Sequence, residues 1–215
     1  MKYILIDLDG TITDPMVGIT KSVQYALRDF HIYIEDLNSL CKYIGPPLRT
    51  SFMEYNHLNE EEAERAVAKY REYYTDKGIF ENEVYEGISE LFERLREAGK
   101  ILIVATSKPE QFAKIIMEHF NLSKYFDDIC GATMDNTRDS KEKVIRYALE
   151  KNQITDYSEA VMVGDRLHDV EGAKAVGLPC IGVLYGYGSR QEHEEAGADK
   201  IAQTVDELYD IIMEL

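Results

Sequence analysis

Basic residues are in short supply in this chain of 215 residues: 24 Lys and Arg stand against 40 Asp and Glu, a net charge of -16. A surface of that sign repels phosphodiester backbones and anionic bilayers, so neither nucleic acid nor membrane is an expected partner. Cysteine is scarcer still. Cys41, Cys130 and Cys180 lie far apart, are odd in number and form no C-x-x-C pair, which argues against a disulfide frame and against a structural zinc site. Reduced thiols in a cytoplasmic protein are the expectation. Long apolar runs are missing too. The first one ends at Asp7 after a few residues, too short for a secretory signal, and none approaches the roughly 20 residues that span a bilayer. There is no low-complexity tract and no internal repeat. What remains is 45% hydrophobic, ordinary for a folded soluble chain and enough for one sizeable core with a smaller second unit.

Short apolar runs recur along the chain. Tyr3–Leu8, Ile101–Thr106, Ala160–Gly164 and Cys180–Leu184 read as buried strands, and Cys130–Ala132 as a weaker one. Helical spacing fills the gaps: Ile88, Leu91, Phe92 and Leu95, stopped by Ala98-Gly99; Phe112, Ile115, Ile116 and Phe120; Val144, Ile145, Ala148 and Leu149; Val205, Leu208, Ile212 and Leu215. Strand and helix alternate, which predicts an α/β fold with a parallel sheet covered on both faces. Residues 14–80 break the alternation. Ile19, Val23, Ala26, Leu27 and Phe30 form one stripe and Ala63, Val67, Tyr70 and Tyr74 another, the latter opened by Glu60-Glu61-Glu62, where negative charge suits the helix dipole. The expected organisation is a core of 1–13 and 81–215 with a helical insertion over 14–80, placed above the strand ends where open α/β sheets bind ligands. The tyrosine stripe reads as helix packing.

Chemistry concentrates in Asp7-Leu8-Asp9-Gly10-Thr11. Residues two apart on a strand share a face, so Asp7 and Asp9 are expected to look into one pocket, with Gly10 turning the chain away. Two carboxylates about 5 Å apart at an effective dielectric near 20 repel by roughly 3 kcal/mol, about two pK units. One of them stays protonated unless a cation is near, which is what acid–base and phosphoryl chemistry requires. Asp-Gly after a strand is equally a plain turn. Three further signals fall at strand ends. Thr106 and Ser107 offer hydroxyls and amides to an anionic oxygen, or cap the helix after Pro109. Gly164-Asp165-x-x-x-Asp169 offers two carboxylates to a hard cation, or Asp169 caps a helix. Lys141 opens a helix against its dipole. Asp7, Asp9, Asp165 and Asp169 in one small volume repel too strongly to stand unmatched. A divalent cation with Lys141 balances them, and an all-oxygen ligand set points to Mg²⁺ over zinc.

In chain order, Asp7-Leu8-Asp9-Gly10-Thr11, the strand ending in Thr106, Lys141 and Gly164-Asp165-x-x-x-Asp169 resemble the four motifs of the haloacid dehalogenase superfamily, and the insertion after the first motif resembles its small helical cap. The likeness covers essentially the whole chain and leans toward the phosphoglycolate phosphatase and 5′-nucleotidase branch, to which Tyr43-Ile44-Gly45-Pro46-Pro47-Leu48 and Gly182-Val183-Leu184-Tyr185-Gly186-Tyr187-Gly188 contribute. The resemblance implies a three-layer Rossmannoid core with an all-helical cap, and Mg²⁺-dependent hydrolysis of small phosphomonoesters through a phospho-aspartyl intermediate. Asp7 is then the nucleophile and Asp9 the acid–base group. Thr106, Ser107, Lys141 and the backbone around Leu8 and Gly10 hold the phosphoryl group. Asp7, the Asp9 carbonyl and Asp165 hold the metal, with Asp169 an outer ligand or a partner of Lys141. Lys42 and Arg49 flank the Gly-Pro-Pro turn and read first as solvated surface charges; of the two, Arg49 is the candidate cap residue for a substrate anion, and His168 is a loop residue without a catalytic task. A monomer acting on a small molecule is expected. The rival readings are a sugar phosphomutase with the same residues, a phosphoacceptor signalling domain, a dehalogenase (disfavoured by Asp9 and the second acidic cluster) and a dinucleotide-binding protein (disfavoured by the glycine spacing).

Overall fold

An apolar tetrapeptide, Tyr-Ile-Leu-Ile, opens the fold as strand β1 (Tyr3–Ile6). The computed structural model describes residues 1–135 and 137–215. After β1 the chain runs through β2 (Thr13–Asp14), α1 (Met16–Arg28), α2 (Leu48–Asn56), α3 (Glu60–Tyr73), β3 (Glu83–Val84), α4 (Ile88–Glu97), β4 (Ile101–Pro109), α5 (Glu110–His119), β5 (Asp128–Ala132) and α6 (Lys141–Lys151). It continues through β6 (Ala160–Gly164), α7 (Leu167–Val176), β7 (Cys180–Val183), α8 (Arg190–Ala196), β8 (Lys200–Ala202) and α9 (Val205–Glu214).

Six strands form one sheet in the order β5-β4-β1-β6-β7-β8, and every neighbouring pair is parallel. Strand β1 is bonded on both sides, Ile6 lying opposite Val104 of β4 and Val163 of β6. The strand order reverses around β1, so the crevice at its carboxyl end is where such sheets place ligands. A parallel sheet must be covered on both faces. Leu5, Ile103 and Met162 face Val144, Ile145 and Ala148 of α6 and Val170 and Ala173 of α7, while α4 lies against β4 and α9.

The chain divides into two compact units, Met1–Asp14 with Val84–Leu215, and Pro15–Glu83. The second is helical. Helix α1 buries Ile19, Val23, Ala26 and Leu27, and α3 buries Ala63, Ala66, Val67 and Tyr70. Tyr70 stacks on Tyr74 with ring centroids 5.2 Å apart, so this tyrosine stripe packs the unit. The acidic start of α3 belongs to a capping box: Asn59 Oδ1 accepts from the Glu62 N–H at 3.0 Å, and Glu62 Oε2 accepts from the Asn59 N–H at 2.9 Å.

Some local expectations fail for identifiable reasons. Helix α5 buries Phe112, Ala113, Ile116 and Met117 and leaves Ile115 41% exposed, because about 100° per residue carries position 115 off that arc. Leu215 lies beyond α9 and is exposed. Strand β5 starts at Asp128, and β8, opened by Lys200, adds a sixth strand with no apolar run to announce it.

Candidate active site

The main chain is still in the sheet where Asp7 emerges: its N–H donates to the Val163 carbonyl at 2.9 Å. Immediately afterwards the chain turns. The carbonyl of Leu8 accepts from the N–H groups of Ile12 at 2.9 Å and Thr13 at 3.0 Å, and Gly10 takes φ +81°, a region that favours glycine. A Cβ at Gly10 would sit 2.1 Å from Asp165 Oδ2, so the missing side chain also admits the second acidic segment. Leu8 is fully buried.

Lys141, the first residue of α6, is buried and reaches the residue that follows β1. Its Nζ lies 2.8 Å from Asp7 Oδ1 and 2.7 Å from Asp169 Oδ1, and it donates to the Ala105 carbonyl at 3.2 Å. Burial works against the ammonium, but the carboxylates of Asp169 and Asp7 outweigh it and hold the Lys141 pKa above the ordinary lysine value. Asp169 plays two parts at once. Its Oδ2 accepts from the Arg166 N–H at 3.1 Å, capping α7, while Oδ1 pairs with Lys141.

Asp165, 1% exposed, accepts from the Tyr187 N–H at 2.8 Å through Oδ2. Its Oδ1 is buried with no hydrogen-bond partner among the described residues. Burial pushes the Asp165 carboxyl well above its usual range, and the charges of Asp169 and Asp7 add to the push. One carboxylate oxygen from each of Asp7, Asp165 and Asp169 can be chosen so that all three lie within 4.8 Å of one another. An orphaned buried oxygen in an all-carboxylate set fits a hard divalent cation.

Asp9 lies apart from that trio. Its Oδ2 meets Lys108 Nζ at 2.7 Å. Its carboxyl pKa is raised, chiefly by burial, with Lys108 opposing and Asp7 adding a smaller push. Repulsion from Asp7 thus has the expected direction without being the dominant cause. Thr106 is 1% exposed, and its Oγ1 accepts from the Lys108 N–H at 3.2 Å, so it does not cap α5. Ser107 is half-buried. Arg49 belongs to the helical unit, where it pairs with Glu60 at 3.2 Å and Glu64 at 2.8 Å. Lys42 lies over the Tyr55 ring, and His168 is near Glu171 at 4.0 Å.

Three contributors escaped notice in the sequence. Lys108 stands two residues from Thr106, with the half-buried Ser107 between two buried neighbours, so strand alternation places both on one face. Tyr187 acts through its backbone, which no residue type announces. Glu192 of α8 accepts from Arg166 Nε and from the Leu167 N–H, both at 2.8 Å, and so braces the Asp165–Asp169 turn from a distant part of the chain.

Comparison with known proteins gives the family of the chain. Residues 4–183 match the family model described as haloacid dehalogenase-like hydrolase. The chain is 47% identical to a protein named 5′-nucleotidase from Pseudomonas aeruginosa, over 88% of this chain and 85% of that one. It is 37% identical to the tyrosine-protein kinase PtkA of Mycobacterium tuberculosis, over 96% of this chain and 71% of that one. Among solved structures, a predicted phosphatase from Clostridium acetobutylicum is 53% identical with a TM-score of 0.97, covering 100% of this chain and 99% of that one. With its motifs gathered at the carboxyl ends of the central strands, the chain belongs to the haloacid dehalogenase-like hydrolase family.

Proposed function

We propose that this protein is a Mg²⁺-dependent phosphatase that hydrolyses small phosphomonoesters through an aspartyl phosphate on Asp7. The observation that carries the reading is the buried Lys141 held between Asp7 at 2.8 Å and Asp169 at 2.7 Å, with Asp165 in the same carboxylate cluster. Asp7, Asp165 and Asp169, with the Asp9 carbonyl, are the groups that would hold the cation. When bound, it supplies positive charge to the phosphoryl oxygens and cancels the repulsion among the carboxylates.

The residues of the chain do the rest. Lys141 neutralises charge on Asp7 and on the incoming phosphoryl oxygens. Thr106, Ser107 and the backbone of Leu8 and Gly10 position those oxygens. A carboxylate oxygen of Asp7 attacks phosphorus in line, and the bond to the leaving oxygen breaks as Asp9 protonates it. Asp9, now ionised, takes a proton from the water that attacks the aspartyl phosphate, releasing phosphate and restoring Asp7. Burial favours the neutral form of the Asp9 carboxyl, the state its first task requires.

The helical unit Pro15–Glu83 acts as the cap that selects substrate and excludes water, with Arg49 as its candidate anion ligand. Nucleoside 5′-monophosphates are the first substrates to test, because a relative that is 47% identical is named 5′-nucleotidase; phosphoglycolate is the second. Phosphate release from a panel of phosphometabolites, with Mg²⁺ and again with EDTA, tests the assignment. Mg²⁺-dependent release from one or more monoesters is expected. No release from any of them, or release indifferent to EDTA, overturns it.

A further inference from the structure

Lys108 has no part in the scheme above, yet it is a second buried lysine beside the first motif, 9% exposed. Its place is fixed by backbone. The Lys108 N–H donates to Thr106 Oγ1, and a Cβ at Gly131 would lie 2.6 Å from the Lys108 carbonyl oxygen, so β4 and β5 are pressed together there. The register slips between Thr106 and Pro109. Lys108 Nζ ends 2.7 Å from Asp9 Oδ2, while Asp9 Oδ1 is buried with no hydrogen-bond partner among the described residues.

An ammonium group has three donors and no acceptor. The carboxyl oxygen facing it must therefore be an acceptor whether Asp9 is ionised or protonated. We infer that Lys108 is a positioning residue for Asp9, holding Oδ2 as acceptor so that Oδ1 is the oxygen that delivers and retrieves the proton. This deepens, and rests on, the assignment of Asp9 as the acid–base group. In the first half-reaction the bond between phosphorus and the leaving oxygen breaks, its electron pair takes the proton from Asp9 Oδ1, and Asp9 is left as carboxylate. In the second, water oxygen bonds to phosphorus, its proton passes to Oδ1, and the bond between phosphorus and Asp7 breaks with the pair remaining on Asp7. Lys108 makes and breaks no bond. It fixes which oxygen works and where it points.

The test compares two leaving groups in the Mg²⁺-loaded full chain. p-Nitrophenolate departs without protonation; an alkoxide, as in the best monoester from the panel, does not. Lys108→Met is expected to lower kcat on the alkyl ester by about 100-fold and on p-nitrophenyl phosphate by less than about threefold. In an Asp9→Asn background it should cost nothing further on the alkyl ester. The ratio of the two rates in one preparation is independent of the folded fraction. Lys108→Arg keeps the charge and the fold and should shift the ratio the same way by about tenfold, because a planar fork reorients the carboxyl. Parallel losses on both esters, or additive losses in the double variant, would make Lys108 a phosphate ligand and overturn the inference. If Asp9→Asn itself falls equally on both esters, the acid–base assignment has failed, and that result is separate from anything Lys108 variants show.

Discussion

Tyr187 holds Asp165 by its main chain, N–H to Oδ2 at 2.8 Å, while its phenol donates to Asp14 Oδ1. The grip depends on the glycines on either side. A Cβ on Gly186 would lie 2.2 Å from the Gly10 carbonyl oxygen and 2.5 Å from Asp165 Cβ, and one on Gly188 would lie 1.9 Å from the Asp165 carbonyl oxygen. The loop after β7 is thus a backbone mould around a single carboxylate, and no side-chain exchange at position 187 removes its donor except proline.

Gly186→Ala should destabilise the protein by about 1–3 kcal/mol through overpacking and weaken Mg²⁺ binding in a calorimetric titration. Gly99→Ala is the control. There φ is +76° and nothing lies within 4 Å of the added Cβ, so only the backbone penalty of about 1–2 kcal/mol applies and Mg²⁺ affinity should not move. Equal metal affinity in both variants would remove the mould's role.

Asp7→Asn should leave a folded protein with turnover below about one-thousandth of wild type. Acid quenching during turnover should trap a phosphoprotein in wild type and none in this variant. Appreciable activity, with deamidation and contamination ruled out by mass spectrometry, ends the covalent route.

Lys141→Met strips two buried carboxylates of their common cation. Breaking such a pair from one side costs about 3–5 kcal/mol, and the loss should appear in denaturant unfolding with EDTA present. Mg²⁺ should recover part of it, because the ion meets the same charges. Unfolding curves that superimpose on wild type in EDTA would show that Lys141 does not offset that charge.

Buried carboxyls also set a pH dependence. Asp165 has its pKa raised well above the usual range, so between about pH 4, where the unfolded carboxyl titrates, and the raised native value the native state holds a proton the unfolded chain has released. Stability contributed by that proton is complete at the low end of this window and is lost as pH rises through the native value. Asp128 and Glu192, with lowered values, contribute in the opposite direction, losing stability as pH falls, so the informative quantity is a difference between variants. In EDTA, Asp165→Asn should melt higher than wild type near pH 7.5, and the gap should close on acidification. Mg²⁺ should raise the melting temperature of wild type and leave the variant unmoved. A gap that stays constant with pH would discard Asp165 as the source.

Much of this was legible in the residues themselves. Apolar strands that end in Asp7, Thr106 and Asp165 announce both the sheet and its working edge, because a strand buried on two faces has to be hydrophobic until the point where it meets solvent or substrate. Lys141 was legible only in company, since one lysine at a helix start says nothing until two carboxylates need it. Lys108 is less legible, since a lysine beside a strand-end hydroxyl carries no signal of its own until a buried carboxylate faces it, although period-two geometry puts it on the Thr106 face. The grips of Tyr187 and Glu192 were illegible for a different reason. They are made by a main-chain donor 22 positions from the carboxylate it serves and by a residue 25 and 26 positions from the N–H and the guanidinium it braces, and spacing along a chain carries no signal of either.

Strand β1 precedes the other sheet strands in the sequence and is paired on both sides within the sheet. Its two neighbours, Ile101–Val104 and Ala160–Val163, leave the ribosome long afterwards. A nascent chain therefore carries Asp7 beside a strand with at least one open edge until Ala160–Val163 has emerged, and a product truncated before that segment exposes that edge to other chains. Long-range parallel pairing of this kind closes slowly. The same two-sided pairing of β1 makes both later segments necessary to close its edges.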